Sequence, residues 1–294
     1  MMNNAPGAPH KISPAPSFFG RRGLADLLPR LASALVLMTA ALVSVWLGGL
    51  VFDLIWLCAA LAVGGEWQLL IAAPNPRIRL LLAGFGLVLS AFFIIKAIFG
   101  IAWAILAGCG FAMALAAGRG RRIWAFGGMI YAGLLFVSIT ALHGSAEYGT
   151  RAIVWLFAIV WGTDVFAYFG GRLIGGAKLW PKVSPSKTWS GTLTGVFAGA
   201  LIGVAVGVSG QAVPERILPL FGLGLAAAAI SQGGDIFESW VKRRFGVKDS
   251  SGLIPGHGGF MDRLDGFIAA AAFAALIGVS RCFDSVAAGL FLGF

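Results

Sequence analysis

Between Asp235 and Asp265 the chain collects Asp235, Glu238, Ser239, Lys242, Arg243, Arg244, Lys248, Asp249, His257, Gly258, Gly259, Asp262, Arg263 and Asp265, the densest polar run in a sequence only 12% charged. If a helix continues out of the apolar residues before it, Asp235, Ser239 and Lys242 form one stripe, because positions i, i+4 and i+7 share a face. Glu238 lies at the edge of that stripe. Asp262 and Asp265, three apart at the mouth of the last apolar run, also face one way. Hard divalent cations such as magnesium take oxygen ligands of this kind, usually one or two carboxylates completed by phosphate oxygens. Lys242, Arg243, Arg244 and Lys248 suit a polyphosphate, and the bend Gly256-His257-Gly258-Gly259 can turn successive backbone amides toward an anion.

The elements that must position these groups follow from composition. The 294 residues are 59% hydrophobic with a mean hydropathy of +0.88, which excludes a pair of soluble domains. In a bilayer core no water satisfies free backbone groups, so apolar runs of about 20 residues must be helices. Nine are predicted: 31–47, 50–71, 79–95, 98–117, 124–142, 152–170, 190–209, 217–238 and one beginning near 266. The fold class expected is therefore an all-α polytopic membrane protein. Residues 1–24 read as a disordered N-terminal tail, and 25–150 as transmembrane scaffold. Residues 151–294 carry the polar loops 171–189 and 239–265.

A net charge of +10 would suit nucleic acid, but the placement of the bases argues otherwise. With the N-terminus inside, only Lys96, Arg151, Arg216 and Arg281 of the 22 lysines and arginines fall on the outer side. That is the positive-inside asymmetry, so the charge reports topology and no nucleic-acid partner is expected. It predicts a multi-pass protein of the inner, cytoplasmic membrane, with the N-terminus and both polar loops in the cytoplasm. Cys58, Cys109 and Cys282 stand singly without metal-ligand spacing and are expected as buried, inert thiols.

Three further places attract attention. Glu66, beside Trp67, is an ionisable residue within a span; it reads as an interfacial anchor, with a supporting role at the site as the alternative. Asp164 sits in the sixth span, either as a buried tie between helices or as a functional carboxylate, and the functional reading is preferred. The loop Ser184-Pro185-Ser186-Lys187-Thr188 both caps the seventh helix and places Lys187 at a helix N-terminus suited to phosphate. His143 reads as part of a solvated outer loop.

Read as Ser, two residues, Lys-Arg, four residues, Lys-Asp, a polar loop, Ile-Pro, one residue, His-Gly-Gly, two residues, Asp-Arg-Leu-Asp, the stretch Ser239 to Asp265 resembles the signature of the phosphatidate cytidylyltransferases, or CDP-diacylglycerol synthases. The resemblance reaches back to Asp164 and the Ser184–Thr188 loop, with a departure at Ser186, where the family often has Gly or Lys. It implies that the phosphate of phosphatidic acid attacks the α-phosphorus of CTP, releasing pyrophosphate and forming CDP-diacylglycerol, at the cytoplasmic membrane boundary. Within 151–294, the catalytic region on this reading, Asp235, Asp262 and Asp265 are expected to hold magnesium, with a second cation as an option, and Lys242 and Asp249 join them as catalytic residues. Asp164, Ser184, Lys187, Ser239, Arg243, Lys248, His257, Gly258, Gly259 and Arg263 are expected to bind substrate. The partners implied are CTP, phosphatidic acid, membrane lipid and a second copy of the chain as a homodimer.

Two other readings fit part of these residues. A CDP-alcohol phosphatidyltransferase motif is matched by Asp262, Asp265, Gly266 and Ala269 but fails at Ala270, where arginine is required, and lacks the downstream Asp pair. An ion-coupled transporter using Asp164, Asp235 and Glu238 conflicts with halves that differ and with polar groups gathered on one side.

Overall fold

The computed structural model describes residues 21–145, 147–209, 214–256, 258–282 and 284–292, with backbone alone for 21–30 and Pro214. Of the predicted disordered tail 1–24, residues 1–20 lie outside the described residues, as do His257 and the loop 210–213, whereas 21–24 belong to a helix. The chain is an all-α polytopic membrane protein. Helix α1 (Arg21–Leu47) joins α2 (Gly49–Leu70) directly, through Gly48 and Gly49 at φ of +60° and +51°. Only glycine takes that left-handed backbone without penalty, which is why the join needs no further loop.

Helices α3 (Pro76–Ile95), α4 (Phe99–Ala116), α5 (Arg122–His143) and α6 (Gly149–Ile174) follow. A short antiparallel hairpin, β1 (Lys178–Trp180) and β2 (Ser184–Thr188), then leads into α7 (Trp189–Gly207), α8 (Ile217–Arg244), α9 (Met261–Arg281) and the seven-residue α10 (Val286–Leu292). Among the described residues eight helices, α2 to α9, are long and apolar enough to cross a membrane, and the apolar part of α1, Leu31–Leu47, is shorter.

Two expectations change. The helix α8 runs on to Arg244 and α9 begins at Met261, so most of the polar residues assigned to a loop at 239–265 belong to helix ends. The reason is pairing: Lys242 is matched by carboxylates across the two helices, and a matched charge does not end a helix. The Ser184–Thr188 stretch is a strand, although its last residue does cap α7, Thr188 Oγ1 accepting from the Gly191 amide at 3.1 Å.

The centre of the bundle is α5, which packs on α2, α3, α4, α6, α9 and α10. Helices α6 and α7 approach through Gly191, Gly195, Gly199 and Gly203, spaced four apart along one face of α7. A Cβ at Gly195 would run into the Thr163 carbonyl and Ala167, and one at Gly199 into Thr163 Oγ1. Small residues let two membrane helices touch backbone to backbone, so this is the closest seam in the bundle. The α2–α3 turn is closed by Arg79, only 1% exposed. Its guanidinium donates to the carbonyls of Gln68, Ala73 and Pro74 and to Gln68 Oε1, satisfying carbonyls that the end of α2 leaves open. Contrary to expectation, Cys58 is exposed on the outside of α2. The ring of His143 ends α5 stacked on Phe52, with centroids 3.8 Å apart, rather than standing in a solvated loop.

Candidate active site

At one end of the bundle the C-terminal ends of α2, α6 and α8, the β1–β2 hairpin and the start of α9 meet. Two polar groups form there. In the first, Lys187 on β2 reaches α8: its Nζ lies 2.6 Å from Asp235 Oδ2 and donates to Gln232 Oε1 at 2.9 Å. Gln232 Nε2 in turn donates to Asp164 Oδ1 on α6 at 3.1 Å. One chain of contacts thus runs Asp235, Lys187, Gln232, Asp164, tying hairpin, α8 and α6 together. Ser239 Oγ contacts Asp235 Oδ1 at 3.4 Å, as the predicted helical stripe requires.

Asp265 on α9 packs beside Gly234, the residue that precedes Asp235 on α8. Gly234 makes that approach possible, since a Cβ there would overlap the Asp265 carbonyl and Ala269. Beside this group opens a cavity of about 440 Å³, whose polar lining includes Asp164, Arg172, Lys178, Lys187, Gln232 and Asp235. A cavity lined by two carboxylates and three cations can hold a phosphate ester together with a hard cation.

The second group is built on Asp262. Lys242 Nζ lies 2.5 Å from Asp262 Oδ1 and 2.7 Å from Glu238 Oε2, with the Glu238 side chain fully buried. The other oxygen, Asp262 Oδ2, accepts from the Ser250 amide at 2.9 Å, from Ser250 Oγ at 2.8 Å and from the Gly259 amide at 2.8 Å. One amide of the glycine-rich bend, that of Gly259, therefore does meet an anion, but the anion is one of the protein's own carboxylates. Gly258, at φ +80° and bridged to Ile254, leaves room for Asp262 that a Cβ would fill.

The other predicted residues divide. Lys248, Asp249, Gly258 and Arg263 line a second cavity of about 420 Å³ with Ser251 and Gly256. Arg243 is exposed and donates to the Val247 carbonyl at 2.9 Å, closing the end of α8 rather than facing either cavity. Ser184 is buried in β2 opposite Trp180. His257 lies outside the described residues. Of the three expected metal ligands, Asp235 lines the first cavity, Asp265, on the neighbouring helix α9, accepts from the Gly266 amide at 2.7 Å, and Asp262 is engaged by Lys242 and the bend. Among the described residues no three His, Cys, Asp or Glu side chains converge on one point.

Two members of the site stand outside the site residues expected from the sequence. Gln232 belongs to the apolar run 217–238; its place three residues before Asp235, on the same helical face, is the available signal. Glu66, an interfacial anchor on the first reading and a support of the site on the second, is 2% exposed and bonded to the segment that leads into α9. Its signal was the rarity of a carboxylate within a span.

The chain matches a family model described as "Cytidylyltransferase family" over residues 28–280. It is 38% identical over 280 residues to the phosphatidate cytidylyltransferase of Brucella abortus biovar 1 (strain 9-941), covering 92% of this chain and 100% of that protein. Shorter similarities run to proteins of the same name. That of Bacillus subtilis (strain 168) is 35% identical over 47% of this chain and 51% of its own. That of Rickettsia bellii (strain RML369-C) is 42% identical over 45% of this chain and 59% of its own.

Proposed function

The chain belongs to the cytidylyltransferase family, and we propose that the two polar groups at the hairpin end of its bundle form one site for CTP and phosphatidic acid. The protein transfers the cytidylyl group of CTP to phosphatidic acid, giving CDP-diacylglycerol and pyrophosphate. The observation that carries the site assignment is the bridge from Lys187 to Asp235, which puts a cation from the hairpin and a carboxylate from α8 on one cavity wall.

The reaction needs little covalent help. A phosphate oxygen of phosphatidic acid, already an anion, forms a bond to the α-phosphorus of CTP, and the bond from that phosphorus to the β-phosphate bridging oxygen breaks. The work left to protein is to align the two phosphates and neutralise the charge they gather. Lys187, Arg172 and Lys178 offer cations to the first cavity, Lys248 and Arg263 to the second. Lys242, engaged by two carboxylates, fixes α8 to α9.

The donor set fits magnesium. Asp235 and Asp265 supply hard oxygens from two helices, and a magnesium ion commonly completes its shell with substrate phosphates and water. Asp262 adds to them by giving up part of its present bonding. Magnesium would supply charge neutralisation on the transferring phosphate. The cytoplasmic membrane, with the N-terminus and this end of the bundle facing the cytoplasm, is the placement that the basic residues support.

The test is purified protein in detergent with phosphatidic acid, CTP labelled at the α-phosphate, and magnesium. Label is expected in a CDP-lipid, with one pyrophosphate per lipid. CDP-diacylglycerol supplied with an alcohol is expected to give nothing. Absence of labelled lipid removes the reading, and efficient alcohol transfer replaces it with the phosphatidyltransferase rival.

A further inference from the structure

We propose that Glu66, on the second helix and far in sequence from the cytidylyltransferase signature, is a positioning residue that sets the use of CTP by pinning the segment 250–261. The proposal rests on the cytidylyl-transfer reading above. Its carboxylate gathers four donors from that one segment. Oε1 accepts from Ser251 Oγ at 2.7 Å and from the Phe260 amide at 2.9 Å. Oε2 accepts from the Met261 amide at 2.7 Å and from Ser250 Oγ at 3.2 Å.

The positions of these donors explain the arrangement. Phe260 and Met261 open α9, where amides have no intrahelical partner and a negative charge is favoured by the helix dipole. A Glu from another helix thus does what a local cap residue ordinarily does, and Phe260, the residue at the cap position, makes no side-chain cap bond of its own. Among the described residues every partner of Glu66 is an amide or a hydroxyl. A buried carboxylate so held is costly to desolvate, and its compensation is the ordering of the segment that supplies the donors.

What that segment carries ties the clamp to function. Ser250 Oγ lies within hydrogen-bond distance of both Glu66 and Asp262, and its one proton serves one carboxylate at a time, so both compete for the same residue of the segment. Gly259 sits between them: a Cβ there would overlap both Ser250 Oγ and the Glu66 carboxylate. The same stretch contributes Ser251, Gly256 and Gly258 to the second cavity, beside Lys248 and Arg263. On this proposal CTP takes this second, more polar cavity and phosphatidic acid the first, whose lining includes Ala167 and the exposed Tyr168 of the span α6. Loosening the clamp therefore disturbs the wall of the second cavity while leaving Lys248 and Arg263 in the chain, and phosphatidic acid is affected less.

The experiment compares wild type, Glu66→Gln, Ser251→Ala and Asp53→Asn in lipid nanodiscs. Asp53→Asn is the control: the same helix, a carboxylate, and a contact to Thr140 instead of the segment. Three quantities are read: the thermal midpoint, amide exchange at Phe260 and Met261 against exchange in α5, and the separate kinetic constants for each substrate. Glutamine keeps the shape but cannot accept at its nitrogen, so exchange at Phe260 or Met261 should rise about tenfold or more while α5 is unchanged, as expected for loss of charged hydrogen bonds. The ratio kcat/KM for CTP should fall by a similar factor of about ten, with KM for phosphatidic acid unmoved. Ser251→Ala should move both readouts the same way by less, and Asp53→Asn neither.

Raised exchange with unchanged CTP kinetics would show a plain structural cap and overturn the proposal, as would exchange that does not move. If Glu66→Gln does not fold, Ser251→Ala decides on the same two readouts. Wild-type protein that yields no CDP-lipid overturns the reaction reading and this proposal together, whereas wild-type turnover with normal CTP kinetics in the variant overturns this proposal alone.

Discussion

A lysine that meets substrate and a lysine that locks two helices fail in different ways when their charge is removed, and Lys187 and Lys242 supply one of each. Lys187 is mostly buried at a cavity wall, but its partner Asp235 is 34% exposed, so solvent screens the bond and keeps its contribution to stability modest. Lys187→Met should fold normally and lose about a hundredfold or more in turnover, as loss of a charge-stabilising group does. Lys242→Met leaves the buried carboxylates of Glu238 and Asp262 without their cation, a change that costs about 3–5 kcal/mol. Its thermal midpoint should drop well before any kinetic effect can be separated, and Lys242→Met with Glu238→Gln should recover part of the loss. Asp235→Asn completes the set: turnover should fall and the magnesium concentration for half activity should rise, because a hard ligand is gone. An unchanged magnesium titration in a folded Asp235→Asn protein would remove Asp235 from the metal. Much of this was legible in the chain. Spacing alone put Asp235 and Ser239 on one stripe, and the two touch. It could not show that Lys242 looks across to Asp262, because a periodicity gives the face of a helix and not the neighbour on that face.

At the scale of elements, apolar length announced the helices and polar residues misplaced their ends. The run of charges after Ile236 looked like an exit from the membrane, yet α8 continues to Arg244 because Lys242 finds carboxylates on its own helix and on α9. The hairpin was harder to foresee. Two strands of three and five residues, one holding Pro185, carry almost no alternation, and the same residues suit a helix cap. What sets the height of Lys187 over the cavity is the seam between α6 and α7, and that seam depends on glycine. Gly195→Val should force the helices apart, costing about 1–3 kcal/mol and lowering activity as β2 and Asp164 separate from α8. Gly222→Val is the matching control, since a Cβ on that residue of α8 meets nothing within 4 Å. Equal stability of the two variants, read as thermal midpoints in the same detergent, would mean that the seam is not what holds the hairpin in place.

For the whole molecule the requirement is that two polar stretches more than forty residues apart in the chain face one compartment. Lys187 and Asp235 are in contact, and Glu66, near the end of α2, reaches Ser250, Ser251, Phe260 and Met261. These bonds can form only if the ends of α2, α6 and α8 and the start of α9 lie at the same face of the membrane. The proposed orientation rests on the basic residues: Arg172, Lys178, Lys182 and Lys187 in one stretch, and Lys242, Arg243, Arg244, Lys248 and Arg263 in the other, favour the cytoplasm for that face by the positive-inside rule. On that placement CTP reaches the site from the cytoplasm while the acyl chains of phosphatidic acid remain in lipid. Short tags carry the test. At Gly175 and Gly252 an added Cβ meets nothing within 4 Å, so a tag has room at both points. Tags at these two glycines should be reached only from the cytoplasm, and a tag at Gln211, between α7 and α8, only from the other side. Gly175 and Gly252 on opposite sides would make the contact between Lys187 and Asp235 impossible in the membrane, and the single site would have to be abandoned. Both on the far side would leave the site whole but separate it from CTP, and the reaction assigned to it would then lack its nucleotide.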